Sequence, residues 1–286
     1  MTSRWRCRDR SLEWGDRTLI MGIVNVTPDS FSDGGLFYDK ANAIEHAYQL
    51  MADGADIIDV GGASSRPGAE PVPEREELRR VLPVVQEIAG VGRCPVSVDT
   101  FSYSVAARCL EAGACAINDI TGLQNDSRLA GLAAENGAGL VLMHMRGTPQ
   151  TMQSMTDYEN VTEDIRSFFA RQVETAKQAG VSDNQIVLDP GIGFSKTTIQ
   201  NLEIIRHLHA VRLDHYPLLL GTSRKSFIGT ITGAEPSHRL YGTLGAAAAG
   251  VMNGANIVRV HDVREIRQAL LVVDSIKRGV VIDAGG

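Results

Sequence analysis

The sequence predicts a closed (β/α)8 barrel, or TIM barrel, and three observations lead to this prediction. Eight short apolar runs recur along the chain, and longer amphipathic stretches follow most of them. The runs do not alternate between polar and apolar residues, which is typical of parallel strands buried on both faces. A chain of 286 residues is long enough for eight strand–helix units in a single domain, residues 1–286.

The predicted elements alternate between strand and helix. The strands are residues 19–24, 57–60, 95–98, 114–117, 139–143, 185–188, 217–220 and 255–260. The helices are residues 39–53, 73–89, 102–111, 159–179, 240–253 and 262–278, and several end next to a glycine. An open doubly wound sheet is the structural alternative, but it would more often have about five or six strands and a glycine-rich first turn.

Two further segments have predicted roles in packing. Residues 1–16, in which Trp5 and Trp14 flank a charged turn, predict a β-hairpin that caps the bottom of the barrel. Helix 240–253 is rich in glycine and alanine, so it can pack closely against another helix. That partner could belong to a second subunit or to the same chain, and the sequence leaves both open.

Charge and composition exclude several classes of partner. The net charge of −6 provides no overall attraction to nucleic acid or to an anionic membrane. No segment reaches the roughly 18 apolar residues of a membrane span, and the arginine-rich first ten residues are not followed by the apolar run of a signal peptide. Four cysteines have neither zinc-site nor CxxC spacing, so we expect reduced thiols in a cytoplasmic protein.

Polar residues stand at the end of every predicted strand. They are Asn25, Asp59, Asp99, Asn118, Asp119, His144, Asp189, Ser223, Arg224, Lys225, Ser226, Arg259 and His261. The carboxyl ends of the strands of such a barrel meet at one mouth, which is where active sites lie. One such residue could be a structural cap, but a ring contributed by all eight strands predicts a binding site.

The polar residues of this mouth suit two kinds of ligand group. Asp99, Asn118 and Asp189 supply acceptors and an amide donor that match a flat nitrogen heterocycle. The residues that suit an oxyanion such as phosphate are Asn25, Ser65, Arg66, Arg259 and His261, and Lys225 could serve either group. No GxGxxG, Walker or HExxH motif is present, and a solitary His144 is more typical of a packed histidine than of a metal ligand.

Eight ordered motifs resemble those of dihydropteroate synthases. Residues 21–35, MGIVNVTPDSFSDGG, are similar to the first signature of that family, and residues 61–68, GGASSRPG, resemble the second. The other matching segments are residues 97–100, 118–120, 142–145, 188–194, 223–226 and 257–263. The resemblance extends from about residue 19 to the last helix.

The resemblance implies a (β/α)8-barrel transferase of folate biosynthesis. Such an enzyme condenses 6-hydroxymethyl-7,8-dihydropterin pyrophosphate with p-aminobenzoate to give 7,8-dihydropteroate and pyrophosphate. Pyrophosphate leaves first, in an SN1-like step, and the aniline nitrogen then attacks the pterin-methyl cation. The resemblance also implies Mg²⁺ as cofactor, sulfonamides as inhibitors that mimic p-aminobenzoate, and a homodimer.

The resemblance assigns roles to residues of this chain. The implied pterin site is Asp99, Asn118, Met143, Asp189, Lys225 and Arg259, of which Asp99, Asp189, Lys225 and Arg259 are the catalytic set. The implied pyrophosphate site is Asn25, Ser65, Arg66, Arg259 and His261, with Mg²⁺ held by Asn25 and Asp33. The implied p-aminobenzoate site is Phe31, Pro67, Phe194 and Ser226.

The second loop departs from the family pattern, which usually reads Gly-Gly-Glu-Ser-Thr-Arg-Pro-Gly. Ala63 stands in place of the glutamate and Ser65 in place of the threonine, so one charge is lost while the hydroxyl is kept. Two other functions compete with the synthase. One is a corrinoid-dependent methyltransferase of the pterin-binding barrel type, which would need neither the phosphate-binding residues nor the first signature. The other is a non-catalytic pterin-binding protein.

Overall fold

The structure is a computed structural model that describes residues 3–27 and 36–282. Within these residues a two-stranded antiparallel sheet precedes an eight-stranded parallel one. The hairpin strands are β1 (Ser3–Cys7) and β2 (Arg10–Trp14). The parallel strands are β3 (Leu19–Asn25), β4 (Ile57–Gly61), β5 (Val96–Asp99), β6 (Ala116–Asp119), β7 (Gly139–Met143), β8 (Ile186–Asp189), β9 (Leu219–Leu220) and β10 (Ile257–Val260).

The parallel strands form the predicted barrel. Each strand from β3 to β8 pairs with the next along the chain, while β10 pairs with both β3 and β9. The circle closes between β8 and β9 through an isolated parallel bridge, Leu188 to Leu218. The strand of residues 217–220 is shorter than expected because Pro217 has no N–H for a ladder and contributes only its carbonyl, which accepts from Leu188 N at 3.0 Å.

Helices surround the barrel and cover the outer faces of its strands. They are α1 (Leu36–Ala52), α2 (Glu74–Val91), α3 (Tyr103–Glu111), α4 (Arg128–Asn136), α5 (Val161–Gln178), α6 (Thr198–Arg206), α7 (Leu208–Val211), α8 (Ser226–Thr232), α9 (Leu240–Met252) and α10 (Val263–Arg278). Helices α1, α2, α3, α5, α9 and α10 match the sequence prediction to within about three residues. The sequence did not predict α4, α6, α7 and α8, which have nine residues or fewer and show the amphipathic period over too few turns.

The hairpin caps the amino-terminal end of the barrel, as predicted. Trp5 is fully buried and packs against residues at the beginning of the parallel strands, including Leu19 and Ile257. Its indole Nε1 donates a hydrogen bond of 2.8 Å to the carbonyl oxygen of Gln185, immediately before β8. Arg8, at the hairpin turn, donates to the carbonyl oxygens of Leu110 and Ala114 around the end of α3, where the helix dipole favours a cation. The hairpin thus fills the amino-terminal end of the barrel interior.

Candidate active site

The predicted site residues meet at the carboxyl ends of the strands. Asn25, Asp99 and Asp189 are the last residues of β3, β5 and β8, Asn118 is the last but one of β6, and Met143 ends β7. Arg259 lies within β10, while Lys225 and His261 follow β9 and β10. The parallel topology therefore gathers side chains that are far apart in sequence into one mouth.

Arg259 is the centre of a charged network inside the barrel. Its Nε lies 2.6 Å from Asp59 Oδ2 and its Nη2 lies 2.6 Å from Asp99 Oδ2. Asn118 Nδ2 donates to the same Asp59 oxygen at 2.8 Å. Burial opposes the charge of Arg259, but Asp59 and Asp99 outweigh that effect and raise its pKa. The guanidinium is therefore a permanent cation whose orientation is fixed by two carboxylates.

Asp59 belongs to this network, although the resemblance assigns it no role. Its side chain is fully buried, and its Oδ1 has no hydrogen-bond partner among the described residues. Ser97, its register partner on β5, likewise has a buried hydroxyl without a partner in this part of the chain. The signal for Asp59 was available in sequence, because it lies near the end of a predicted strand.

Lys225 and Asp189 form the second charged element of the pocket. Burial lowers the pKa of Lys225 to about 8, although Asp189 favours its charged form. Burial also raises the pKa of Asp189, while Lys225 and a hydrogen bond of 2.7 Å from Gly191 N act in the opposite direction. The Lys225 ammonium donates to the carbonyl oxygen of Ile192. Lys225 thus links the start of α8 to the loop after β8.

An apolar wall lies beside these charges. Met143 and Phe194 belong to one buried cluster with Ile120, Met145 and Met152. Lys225 Nζ lies 4.3 Å from the centroid of the Phe194 ring, at a distance at which a cation is attracted to the π face. The structure therefore brings an expected pterin contact, Met143, together with an expected p-aminobenzoate contact, Phe194.

The expected pyrophosphate residues lie at the other side of the mouth. Asn25 Nδ2 is 3.5 Å from His261 Nε2, and His261 Nδ1 is 2.9 Å from Ser223 Oγ. Burial, with Arg224 and Arg259 nearby, lowers the pKa of His261 to about 3, so its ring is neutral at physiological pH. Asn25, Ser223 and His261 thus form a connected polar group next to Arg259.

The second loop contributes Ser65, Arg66 and Pro67 to the rim. Ser65 is half-buried, while Arg66 and Pro67 are exposed. Within residues 3–27 and 36–282, no ion pair engages the Arg66 guanidinium, so its charge is available to an anion. Ser226, the first residue of α8, is exposed as well. Two further expected residues, Phe31 and Asp33, lie outside the described residues.

Two polar strand-end residues have structural explanations. Asp119 accepts hydrogen bonds from the backbone N–H groups of Thr121 and Leu123 and from the Thr121 hydroxyl, so it caps the turn after β6. His144 is buried and bonded through both ring nitrogens, to Asp164 and Lys196. In the described parts of the chain no group of three or more His, Cys, Asp and Glu side chains could hold a metal ion.

Sequence comparison identifies the class of protein that this barrel and site define. A family model described as pterin binding enzyme matches residues 21–261. The dihydropteroate synthase of Synechocystis sp. is 46% identical over 267 residues, which cover 93% of this chain and 92% of the relative. The enzyme of Bacillus subtilis is 44% identical, with 93% of this chain and 90% of the relative covered.

Solved structures with similar folds support the same class. Dihydropteroate synthase from Clostridium difficile, solved with pteroic acid, has a TM-score of 0.88 and 44% identity, covering 93% of this chain and 98% of that one. The Yersinia pestis enzyme in a sulfonamide complex has a TM-score of 0.90 and 40% identity, covering 96% and 99% of the two chains. Fold and site therefore define a pterin-binding (β/α)8-barrel enzyme. Within that class, the chain belongs to the dihydropteroate synthase family.

Proposed function

We propose that this enzyme joins 6-hydroxymethyl-7,8-dihydropterin pyrophosphate to p-aminobenzoate and releases pyrophosphate, a step of folate biosynthesis. One observation carries the proposal: Arg259, held by Asp59 and Asp99, is close enough to both Asp189 and His261 to affect their pKa values. It therefore adjoins both the proposed heterocycle-binding group and the proposed anion-binding group. A transferase that separates a pterin cation from pyrophosphate needs both groups side by side. The related enzymes from Synechocystis and Bacillus subtilis carry the same activity in their names.

The pterin-binding roles proposed for the pocket follow from its donors and acceptors. Asn118 donates a hydrogen bond from its Nδ2 to Asp59, so its amide oxygen can accept a hydrogen bond from a pterin N–H. Asp189 supplies a buried carboxylate for the amino group and ring N–H of the heterocycle, and Lys225 a donor for its carbonyl oxygen. Met143 contributes the apolar surface on which the flat ring rests.

The reaction proposed here begins with breakage of the bond between the pterin methylene carbon and oxygen. Pyrophosphate leaves with the electron pair, and the carbon becomes a cation that is delocalised into the ring. Asp99 and Asp189 stabilise that positive charge, while Arg66, Arg259 and the neutral His261 hold the leaving group. The aniline nitrogen then forms the new C–N bond and loses its proton to solvent.

Mg²⁺ is the cofactor proposed for the leaving group. Asn25 turns its Nδ2 towards His261, which leaves its amide oxygen without a hydrogen bond to the described residues. Mg²⁺ prefers oxygen ligands and is commonly held by one or two protein groups together with substrate phosphates and water, so one such oxygen fits this mode of binding. Asn25 and Asp33 would hold the ion, which would neutralise charge on the departing pyrophosphate.

The second substrate is proposed to bind between the loops of the rim. Phe194 and Pro67 would contact the ring of p-aminobenzoate, with Phe31 completing the apolar wall and Ser226 bonding its carboxylate. Phe194 is 8% exposed and has one face covered by Lys225, so it can offer only a narrow strip of surface to a second ring. Sulfonamides, which mimic p-aminobenzoate, would compete at the same place.

A homodimer and a cytoplasmic location are proposed as well. Helices α6, α8, α9 and α10 pack side by side and expose large apolar side chains, among them Ile199, Ile231, Tyr241 and Ile276. Tyr241 is 83% exposed, and such a patch is typical of a subunit interface. Sedimentation should give a dimer, and Tyr241→Glu should shift it to the monomer. The four cysteines are all unpaired, which fits a reducing compartment.

A single assay separates this function from its rivals. The enzyme is mixed with the pterin pyrophosphate and Mg²⁺, and pyrophosphate release is followed with and without p-aminobenzoate. We expect release that depends on p-aminobenzoate, together with formation of dihydropteroate. A methyltransferase-type barrel or a non-catalytic pterin-binding protein would bind the pterin but release no pyrophosphate in response to p-aminobenzoate.

A further inference from the structure

Lys196 is a buried lysine behind the loop that follows β8, and the proposed reaction does not use it. Its side chain is 3% exposed. Its Nζ lies 2.9 Å from His144 Nδ1, 2.9 Å from the carbonyl oxygen of Phe194 and 3.4 Å from the carbonyl oxygen of His144. Three acceptors match the three N–H donors of an ammonium group. The pocket can therefore satisfy all three N–H groups of Lys196 when the side chain is charged.

The contacts of His144 define its tautomer. An ammonium group cannot accept a hydrogen bond, so Nδ1 of His144 accepts from Lys196 and the ring proton is on Nε2. Nε2 then donates to Asp164 Oδ1 at 3.1 Å, and Arg146 binds the other oxygen of that carboxylate. Burial and the nearby Lys196 lower the pKa of His144 to about 4, which agrees with a neutral ring.

The same contacts fix the backbone beside Phe194. Its carbonyl oxygen accepts from Lys196 Nζ and also from Ser195 Oγ at 2.7 Å. Ser195 has a φ of 48°, a left-handed conformation that is unfavourable for a residue with a side chain. Its hydroxyl accepts from Arg146 N at 3.0 Å and lies 3.2 Å from Tyr158 Oη. The backbone N–H of Arg146 and the hydroxyl of Tyr158, both from the loop after β7, thus hold the strained turn that carries Phe194.

We propose that Lys196 and His144 are a positioning pair that holds the Phe194 backbone and thereby shapes the p-aminobenzoate site. Neither side chain touches the reacting atoms in this arrangement. The pair acts through the loop between β8 and α6. Lys196 belongs to this loop, and its hydrogen bonds to His144 connect the loop to the end of β7. The inference rests on the proposed function, because that function places p-aminobenzoate against Phe194.

The charge on Lys196 depends on the groups that face it. Asp189 from β8 and Asp164 from α5 favour the ammonium form, while Lys225 after β9 and Arg146 after β7 disfavour it. His144 is neutral. Burial is the largest effect, and it lowers the pKa of Lys196 to about 7. Lys196 is therefore charged below about pH 7 and neutral above it, and the neutral amine has only two N–H donors for three acceptors. The hydrogen bond from Lys196 to the Phe194 carbonyl oxygen should therefore weaken as the pH rises through 7.

The test uses Lys196→Met, which keeps an unbranched side chain one atom shorter than lysine and removes its charge and hydrogen bonds. We expect KM for p-aminobenzoate to rise by about tenfold or more, while KM for the pterin pyrophosphate and kcat change by less than about threefold. In the wild type, KM for p-aminobenzoate should rise between pH 6 and 8, and in the variant this dependence should be lost. The matched control is Lys177→Met, which removes an exposed lysine whose Nζ lies 3.0 Å from Asp183 Oδ1. We expect Lys177→Met to have the KM and kcat values of the wild type.

Equal increases in both KM values, or an unchanged KM for p-aminobenzoate in a folded variant, would overturn the proposal. If Lys196→Met does not fold, Ser195→Ala removes the other hydrogen bond to the Phe194 carbonyl and keeps the lysine. A rise of about threefold in KM for p-aminobenzoate alone is then expected, and no rise contradicts the proposal.

An activity-independent measurement separates failure of this inference from failure of the proposed function. In the wild type, NMR of lysine Cε and histidine ring nitrogens should show a lysine that titrates near pH 7 and a His144 protonated on Nε2. Both signals should change in Lys196→Met. A His144 that carries its ring proton on Nδ1 would contradict the pair even if the wild type forms no dihydropteroate. A Lys196 that titrates near its ordinary pKa of about 10.4 would contradict the predicted pH dependence.

Discussion

Asp59 and Arg259 form an ion pair across the interior of the barrel, with 2.6 Å between Asp59 Oδ2 and Arg259 Nε. Asp59 is on β4 and Arg259 is on β10, and β3 lies between these two strands. The ion pair therefore joins strands that are not neighbours in the barrel. The same carboxylate oxygen receives Asn118 Nδ2. One buried residue therefore orients both a cation and an amide of the proposed pterin site.

The first prediction concerns Asp59→Ala. Removing Asp59 leaves Arg259 paired with Asp99 alone, so we expect the free energy of unfolding to fall by up to about 3–5 kcal/mol, which is the cost of breaking a fully buried ion pair. Pterin affinity should fall too, because Arg259 and Asn118 lose their common anchor. Urea unfolding and calorimetry with a pterin measure the two effects. Glu111→Ala, which removes an exposed pair with Arg108, should cost at most about 1 kcal/mol and leave binding intact. A stable Asp59→Ala protein with full pterin affinity would contradict the anchoring role.

The second prediction concerns Lys225 and Asp189, which supply a donor and an acceptor to the proposed heterocycle. Lys225→Ala or Asp189→Ala should weaken pterin binding by about 2–5 kcal/mol, because a buried charged group loses its ligand partner. Calorimetry measures the affinity, and circular dichroism checks that the fold is kept. The exposed Lys177→Ala serves as control. Unchanged affinity in both site variants would show that the pterin lies elsewhere.

The sequence predicted the barrel because its strands are buried on both faces and their ends carry polar residues. Asp99, Asn118, Asp189 and Arg259 could be assigned to one mouth by that rule alone, since parallel strands have their carboxyl ends at the same side. The rule also selected Asp119, which is a turn cap, because it does not show whether a carboxylate faces the pocket or its own backbone. Contacts such as that between Arg259 and Asp59 depend on side-chain reach across the barrel, which strand order alone does not provide.

The pairing of Lys196 with His144 was equally inaccessible from sequence. Lys196 follows Phe194 by two residues, and a lysine in a loop is ordinarily an exposed residue. It is buried here beside the left-handed Ser195, and its Nζ contacts His144 directly after β7. Short helices such as α6 and α8 escaped prediction for a different reason, since fewer than three turns define no clear apolar face.

The third prediction is a pH dependence that comes from Lys225. Burial lowers its pKa to about 8, so the side chain is charged below that pH and neutral above it. The cation is proposed to bind the pterin, and kcat/KM for the pterin pyrophosphate should therefore fall as pH rises through about 8. The profile is measured at saturating p-aminobenzoate, so that changes at Lys196 do not contribute. Lys225→Arg should be less active but should lack this decline. A wild-type profile that is flat from about pH 7 to 9.5 would contradict the assignment.

The fourth prediction concerns Mg²⁺ and the order of binding. The sequence places proposed anion ligands and proposed p-aminobenzoate contacts on the same two loops: Asp33 and Phe31 on the first, Arg66 and Pro67 on the second. Pyrophosphate with Mg²⁺ should therefore prepare the second-substrate site. We expect EDTA to abolish turnover, Mg²⁺ to restore it, and p-aminobenzoate to bind measurably only when pterin or pyrophosphate is present. Tight binding of p-aminobenzoate to the free enzyme would refute the order.

The last prediction concerns the unusual second loop, in which Ala63 and Ser65 stand where the family usually has glutamate and threonine. Ser65 is half-buried and presents the same hydroxyl as threonine, and the missing methyl is worth at most about 1 kcal/mol where it would be packed. Ala63 removes a negative charge beside a proposed anion site, which should not weaken pyrophosphate binding. The turn is held by a hydrogen bond of 3.0 Å from Gly68 N to the carbonyl oxygen of Pro149, which no substitution at residue 63 or 65 removes directly.

We therefore expect an active enzyme that a sulfonamide inhibits. The measurement is pyrophosphate release by the wild type and by Ser65→Ala and Ser65→Thr, each with and without the drug. Ser65→Thr should match the wild type, because it keeps the hydroxyl. Ser65→Ala should lose activity by about tenfold or more, because a hydrogen bond to a charged group such as pyrophosphate is worth about 1.5–3 kcal/mol. Wild-type turnover that is indifferent to the sulfonamide would contradict the expected inhibitor site. A Ser65→Ala enzyme as active as the wild type would exclude a hydrogen bond from this hydroxyl to the leaving group.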